Sequence, residues 1–420
     1  MSDTPAITAK REAAAERPLA GRLWLAGTLR RLGLTPELVR FALAIFAISR
    51  AGFVLLTLLA QRFLAPIGSG TSSFVGTWVR YDASYYARLA ADGYLAATPW
   101  RDAFFPLMPW LVHLVALPFE PLGPRYHADY IATLVVSNAA YLVALLGLAA
   151  LAARDADLPT ARRAMLYLTL FPSALFLFAG YAESLFLALA IWCVVALRHQ
   201  RWWLAGALGL LAATTRQMGL FLVLPFAFSY ASAHGWRWPH PLHLPHLPRQ
   251  MSRLHADALA IVLIPGGLLL FMAWLWLAVG DPLAFEHAER YWHHKLTAPW
   301  ATLAYAVPFF LGQTNPRFRA DELIDIFCVV LFAILLILGI RRLPVGDLLF
   351  SVAIFVLVLT YPTNGWPLLS DARYMLEIFP CLLLLARLTR RPWQTALVLA
   401  VFTLLLVVQT QYFVRGALTV

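Results

Sequence analysis

Long apolar runs separated by short polar breaks fill the chain from residue 41 onward. They fall at 41–61, 104–120, 129–152, 164–179, 182–198, 202–233, 257–280, 322–340, 346–362, 373–387 and 394–414, with a weaker run at 300–312. The runs are continuous and rich in Leu and Ala, the pattern of buried helices rather than half-buried strands. About 20 such residues cross the hydrocarbon core of a bilayer. Backbone polar groups in lipid must be satisfied within a helix or a closed barrel, and the lack of period-two alternation excludes the barrel. The pattern therefore predicts an all-α polytopic membrane protein, a bundle of about 10–12 transmembrane helices.

The breaks refine this picture. Residues 1–40 form a basic arm carrying Lys10, Arg11, Arg17, Arg22, Arg30, Arg31 and Arg40. It has no signal-peptide core with a cleavage site and is expected to be cytoplasmic, with Leu25, Leu29 and Leu32 on one face of an interfacial helix. Residues 41–420 then form a single transmembrane domain, with 62–103 as a long first external loop. Thr35-Pro36 is a helix-start signal. Thr214-Thr-Arg-Gln-Met-Gly219 splits the run 202–233 into two short half-spans.

Clusters at Arg237/Arg249/Arg253, Arg341/Arg342 and Arg387/Arg390/Arg391 mark cytoplasmic loops under the positive-inside rule. Arg154, Arg162 and Arg163 also call for the cytoplasm, yet two full spans at 104–120 and 129–152 would place them outside. A re-entrant 104–120 removes the conflict, and Phe104-Phe-Pro-Leu-Met-Pro109 is a poor start for an ordinary helix.

Composition supports the membrane reading. The 420 residues are 61% hydrophobic and only 13% charged, half the charged share of a soluble domain, and the mean hydropathy is +0.70. The net charge of +11 lies in short clusters between apolar runs, so it reads as loop charge and not as a nucleic-acid surface. Cys193, Cys328 and Cys381 sit inside apolar runs, without the spacing of disulfides or metal ligands. The segment Pro239-His-Pro-Leu-His-Leu-Pro-His-Leu-Pro248 spaces three histidines by three. It reads as a plain loop that favours polyproline II rather than as a metal site.

Ionisable groups at a membrane lip are functional candidates, and several are expected on one external face. If 78–94 is helical, Asp82, Tyr85, Tyr86 and Leu89 share a face, and Asp92-Gly93 ends the helix. Tyr181 and Glu183 lie in a short turn between two runs, Arg216 in the split, and Arg373-Tyr374 before a late run. The loop Gly280–Lys295 mixes Arg290, His293, His294 and Lys295 with aromatics, a set suited to an anionic headgroup. A solvated loop at 78–94, a helix cap at Glu183 and a snorkelling arginine at Arg216 are the plainer readings of the same residues.

The order of these motifs resembles the PIG-V family of membrane mannosyltransferases. Arg80-Tyr-Asp-Ala-Ser-Tyr-Tyr-Ala-Arg-Leu-Ala-Ala-Asp-Gly-Tyr94 is similar to that family's first external loop, with Tyr81 where the family has Trp. Phe104-Phe-Pro-Leu-Met-Pro109, Tyr181-Ala-Glu-Ser-Leu-Phe186, Thr215-Arg-Gln-Met-Gly219, Gly280-Asp-Pro-Leu-Ala-Phe285 and Arg373-Tyr374 follow in the family's order. The resemblance implies a GT-C glycosyltransferase that takes a sugar, mannose above all, from a polyprenyl- or dolichyl-phosphate donor. It implies no metal and no other cofactor.

On that reading Asp82 is the general base for an acceptor hydroxyl in an inverting transfer on the non-cytoplasmic face. Arg216 and Arg373, with Arg290 and His294, stabilise charge on the departing lipid phosphate. Arg80, Tyr85, Tyr86, Glu183 and Tyr374 complete the substrate-binding set. The partners are the lipid donor, a lipid or glycan acceptor and the membrane itself: the inner membrane of a prokaryote or the endoplasmic reticulum of a eukaryote. A transporter or lipid flippase would use the same charges along a translocation path, and a scaffold would leave Arg50 and Arg216 without a role.

Overall fold

The computed structural model describes residues 33–67, 73–94, 99–119, 126–235, 255–363 and 365–416, together with Gly27. The arm's expected interfacial helix and the His/Pro segment lie outside the described residues. Among the described residues every regular element is helical, and extended pairing is confined to the isolated bridges His294–Thr363 and Thr363–Trp366.

Helix α1, Pro36–Phe63, begins where Thr35 Oγ1 accepts a hydrogen bond from the Leu38 amide (3.3 Å) and Pro36 occupies the first turn. The stretch expected as a long loop holds two helices, α2 (Phe74–Trp78) and α3 (Asp82–Asp92). α3 starts four residues later than the sequence suggests, because Tyr81 takes φ 52° just before it. Gly93, at φ 71°, ends it as expected.

There follow α4 (Leu107–Ala116), α5 (His127–Asp155), α6 (Leu158–Leu170), α7 (Glu183–Arg198), α8 (Trp202–Ala213) and α9 (Val223–Ala233). The remainder is α10 (Leu263–Val279), α11 (Ala284–Ala288), α12 (Pro299–Gly312), α13 (Pro316–Gly339), α14 (Val345–Thr360), α15 (Asp371–Met375), α16 (Phe379–Leu388) and α17 (Pro392–Val414).

Among the described residues, five helical stretches have the length and composition to cross a membrane: Pro36–Phe63, His127–Asp155, Ala256–Val279, Pro316–Gly339 and Pro392–Val414. Much of the remaining apolar sequence is in shorter helices, because several runs that read as single spans are broken. The run 164–179 stops at Leu170, ahead of Pro172, and continues as a 3-10 turn, Ala174–Leu177. The run 202–233 breaks at Thr214–Arg216 as expected, and 373–387 divides into α15 and α16. The weak run at 300–312 is a helix, α12, with Pro308 inside it.

Helix α5 forms the middle of the first half and packs against α4, α6 and α7. Its buried face includes Ala140, Ala144, Gly147, Leu148 and Leu151, of which the alanines and the glycine are small enough to let neighbouring helices approach closely in lipid. Arg50, at mid-length in α1, joins this packing without a carboxylate. It donates to Asn138 Oδ1 (2.8 Å) and the Leu177 carbonyl (2.7 Å), and its guanidinium lies 4.1 Å from the Tyr141 ring centroid.

Arginines expected to face the cytoplasm gather at one end of the bundle. Arg163 donates to the Ala386 carbonyl, Arg387 to the Asp155 carbonyl, and Arg154 to the Arg198 carbonyl. Arg162 pairs with Glu37 at the start of α1, and Arg198 with both Asp155 and Asp347. The ends of α1, α5, α7 and α16 thus meet at this basic end. Helix α4, with 10 residues, is about 15 Å long, half the hydrocarbon thickness. It packs against α5.

Candidate active site

The opposite end of the bundle collects the ionisable side chains singled out in the sequence. Asp82 is the first residue of α3, Glu183 the first of α7, and Arg373 lies in α15. Arg216 precedes the 3-10 turn Gln217–Leu222, where the break in 202–233 lets an extended residue reach inward. Both α3 and α15 are launched by a non-glycine residue with positive φ: Tyr81 at 52° and Ser370 at 66°. Such backbone costs on the order of 1–3 kcal/mol and survives where surrounding contacts fix the side chains that follow.

These residues form one continuous chain of ion pairs. Arg373 Nη1 donates to Asp82 Oδ2 at 2.6 Å, and its Nε lies 3.2 Å from Glu183 Oε1. Arg216 Nη1 donates to the same Glu183 oxygen at 2.6 Å, and its Nε lies 3.1 Å from Glu377 Oε1. Glu377 and Glu183 are buried, whereas Asp82 keeps 22% of its side chain exposed. Three carboxylates face two guanidiniums, so the chain carries one net negative charge when all are ionised.

Aromatic rings enclose it. The Arg373 guanidinium lies 4.9 Å from the Tyr374 ring centroid, 5.4 Å from that of Tyr181 and 5.5 Å from that of Phe176. Its Nη2 donates to Tyr374 Oη at 3.0 Å, so all three of its nitrogen groups face protein partners. Arg216 sits 5.1 Å from the Tyr374 ring. Tyr86 is buried edge-on to Phe104, while half-buried Tyr85 lies against Trp100, ring centroids 4.5 Å apart and planes tilted by 38°.

The remaining predicted residues divide. His294 Nδ1 donates to the Tyr361 carbonyl (2.8 Å), and its Nε2 lies 3.8 Å from Glu289 Oε2. Removal from water pushes His294 below the usual imidazole range, which keeps it neutral near pH 7. Glu289, in the 3-10 turn after α11, is pushed up to about 7, first by removal from water and then by the charge of Asp82, against the pull of Arg216 and Arg373. Both therefore feel the ion-pair chain from its rim. Arg80 instead donates to the Phe413 carbonyl on α17 (3.2 Å), and Arg290 is solvent-exposed. Neither joins the chain.

Glu377 and Glu289 were not singled out in the sequence. Glu377 sits inside the apolar run 373–387, where an acidic residue four positions after Arg373 was the available signal. A second missed group lies on α13: Asp321, Glu322 and Asp325 are buried beside Asp371. Asp325 Oδ1 accepts from the Ala372 amide at 2.7 Å and so holds α15, whereas the Asp321 carboxylate oxygens are buried without a hydrogen-bond partner among the described residues. A cavity of about 470 Å³ lined by Arg198, Phe228, Ser229 and Asp347 lies at the basic end, far from the ion-pair chain.

Comparison with known proteins adds to this geometry. A GPI alpha-1,6-mannosyltransferase 2 from Mus musculus is 33% identical over 166 residues, which cover 37% of this chain and 33% of the mouse protein. Among solved structures, ArnT from Cupriavidus metallidurans bound to undecaprenyl phosphate matches with a TM-score of 0.47 at 14% identity, over 81% of this chain and 59% of that one. The oligosaccharyltransferase AglB from Archaeoglobus fulgidus, in complex with an inhibitory peptide and a dolichol-phosphate, matches with a TM-score of 0.42 at 12% identity, over 90% and 55%. The family model described as Mannosyltransferase (PIG-V) matches residues 41–281, more than half of the chain. The chain belongs to the PIG-V mannosyltransferase family.

Proposed function

We propose that this protein is a GT-C glycosyltransferase that moves a mannosyl group from a polyprenyl- or dolichyl-phosphate donor to an acceptor hydroxyl, with inversion, on the non-cytoplasmic side of its membrane. The observation that carries the reading is the buried chain Asp82–Arg373–Glu183–Arg216–Glu377, assembled from four distant stretches of sequence at the end of the bundle away from the basic loops. Family membership supplies the sugar and the class of reaction.

Asp82 is the base. Its Oδ2 is held by Arg373, and its partly exposed Oδ1 makes no hydrogen bond among the described residues. Oδ1 takes the proton as the acceptor oxygen attacks the anomeric carbon, while the lipid phosphate leaves with the electron pair of the glycosidic C–O bond. Arg373, with Nη1 on Asp82, Nη2 on Tyr374 and Nε beside Glu183, positions this carboxylate rather than gripping phosphate.

Developing phosphate charge falls instead to Arg216, whose Nη2 makes no hydrogen bond among the described residues, and to Arg290 at the exposed rim. Tyr85, Tyr86 and Tyr374 line the sugar's approach, and Asp321 offers acceptor oxygens to sugar hydroxyls. Neutral His294 donates no net charge. No metal is needed to leave a phosphate monoester.

The test is reconstitution into liposomes with two radiolabelled donors in chelator-containing buffer: polyprenyl-phosphate-mannose and a nucleotide-linked mannose. The expected result is transfer from the lipid donor alone. Transfer from the nucleotide donor with none from the lipid overturns the reading.

A further inference from the structure

The turn that ends α9 and the turn that begins α10 bring three metal-ligand side chains together at the basic end of the bundle. One donor atom from each of His234, His255 and Asp257 lies within 4.8 Å of the other two. The His234 and His255 ring centroids are 5.1 Å apart. These residues flank the segment 236–254 and stand beside Trp202, whose ring lies 6.1 Å from that of His234. They are remote from Asp82: α7 alone, 16 residues or about 24 Å long, separates Glu183 from the Arg198 end.

A single residue, Tyr230, organises all three. Its ring stacks on His234 at 4.1 Å, its hydroxyl donates to Asp257 Oδ1 at 2.9 Å, and Tyr230 Oη in turn accepts from the His255 amide at 3.1 Å. The Tyr230 carbonyl accepts a bond from His234 Nδ1 at 2.9 Å. A carbonyl only accepts, so Nδ1 carries the proton and the lone pair that a metal needs resides on Nε2. Outer-sphere bonds of this kind, imidazole N–H to carbonyl and hydroxyl to carboxylate, fix the tautomer and orientation of metal ligands.

We propose that His234, His255 and Asp257 form a binding site for a divalent transition metal, zinc by preference, that clips together the two ends of the 236–254 connection. Two imidazoles and one carboxylate are a zinc donor set, with water completing four-coordination. Around a tetrahedral zinc at about 2.1 Å, ligand atoms stand about 3.4 Å apart, so the three donors draw inward by about an ångström on binding. His255 is exposed and half-buried His234 and Asp257 line the other side, so that movement needs no repacking of the core. The three ligands converge in the folded protein, so metal bound there stabilises it relative to the unfolded chain, a role separate from sugar transfer.

The experiment uses purified full-length protein without a polyhistidine tag, stripped with chelator and titrated with Zn2+ alone, with bound metal counted by elemental analysis. One zinc per chain is expected, lost in His255→Ala and in Asp257→Asn. Tyr230→Phe, which leaves all three ligands, weakens binding about 10- to 100-fold. A His240→Ala/His243→Ala/His246→Ala variant keeps the zinc. Absence of binding in the wild type overturns the site. So does a zinc that survives His255→Ala and Asp257→Asn but disappears in the triple variant, because the metal then belongs to the intervening histidines.

Discussion

At the scale of residues, the ion-pair chain makes separable demands on its members. Arg216 compensates two buried carboxylates, Glu183 and Glu377. Removing one partner of a buried pair leaves an uncompensated charge, which costs about 3–5 kcal/mol. Arg216→Met is therefore expected to lower the melting temperature in detergent steeply, and Arg216→Met/Glu377→Gln to recover part of the loss. Arg373 serves Asp82, so Arg373→Lys, which keeps the charge and loses the fork, is expected to lower kcat while the KM for lipid donor stays within about threefold. A rise in KM with unchanged kcat makes Arg373 a phosphate clamp instead.

Glu289 adds a pH signature. Its carboxyl titrates near 7 in the folded protein and near 4.3 in an unfolded chain. Between those values the unfolded chain gives up its proton first, so the contribution of this residue to stability is full below about pH 4.3 and falls as pH rises to about 7. Relative to Glu289→Gln, the wild-type melting temperature should decline across that window and run parallel above it. The effect is softened because 37% of the side chain is exposed. Identical pH profiles for the two proteins would remove Glu289 from the electrostatics of the site.

Between residues and bundle stand the elements, and here the legibility of the sequence is uneven. Start and stop chemistry was readable: Thr35-Pro36, Asp92-Gly93 and the break at Thr214–Arg216 all mark real boundaries. The face shared by Asp82, Tyr85, Tyr86 and Leu89 was readable from helical period alone, and it carries buried Tyr86 and Leu89 inward. The break around Glu377 was hidden, because an apolar run has no periodicity to lose and the polar residue at the break looks like an impurity, whereas the break at Phe171 carries a signal in Pro172. Glu377 was missed for that reason.

Gly219 shows what such a break requires. A Cβ there would lie 2.4 Å from the Ala212 carbonyl carbon and the Ala213 amide nitrogen, backbone that cannot step aside. Gly219→Ala is expected to destabilise the protein by about 1–3 kcal/mol and to displace Arg216, three residues away. Thermal melts paired with transfer assays check this: activity should fall further than the remaining folded fraction explains.

For the whole molecule, opposite-ended charge gives the bundle its direction. Arg154, Arg162, Arg163, Arg198 and Arg387 meet at one end, while Asp82, Glu183, Arg216 and Arg373 meet at the other. The arginines that the positive-inside rule groups together meet at one end, and the parity conflict falls on the segment that holds the short α4. Membrane-impermeant thiol labelling of single cysteines introduced at residues 88 and 341 should find them on opposite sides, with the former outside. Labelling of both from one side contradicts the proposed orientation.

The central claim is that the Asp82 carboxylate performs proton transfer in mannosyl transfer, and one comparison tests it most directly. Initial rates of mannose transfer from polyprenyl-phosphate-mannose are measured for wild type, Asp82→Asn and Asp82→Glu at equal abundance and matched melting temperature. A base of this kind contributes about 10²- to 10⁴-fold, so Asp82→Asn should lose at least about 100-fold in kcat while Asp82→Glu retains measurable transfer. An Asp82→Asn enzyme within about twofold of wild type contradicts the account.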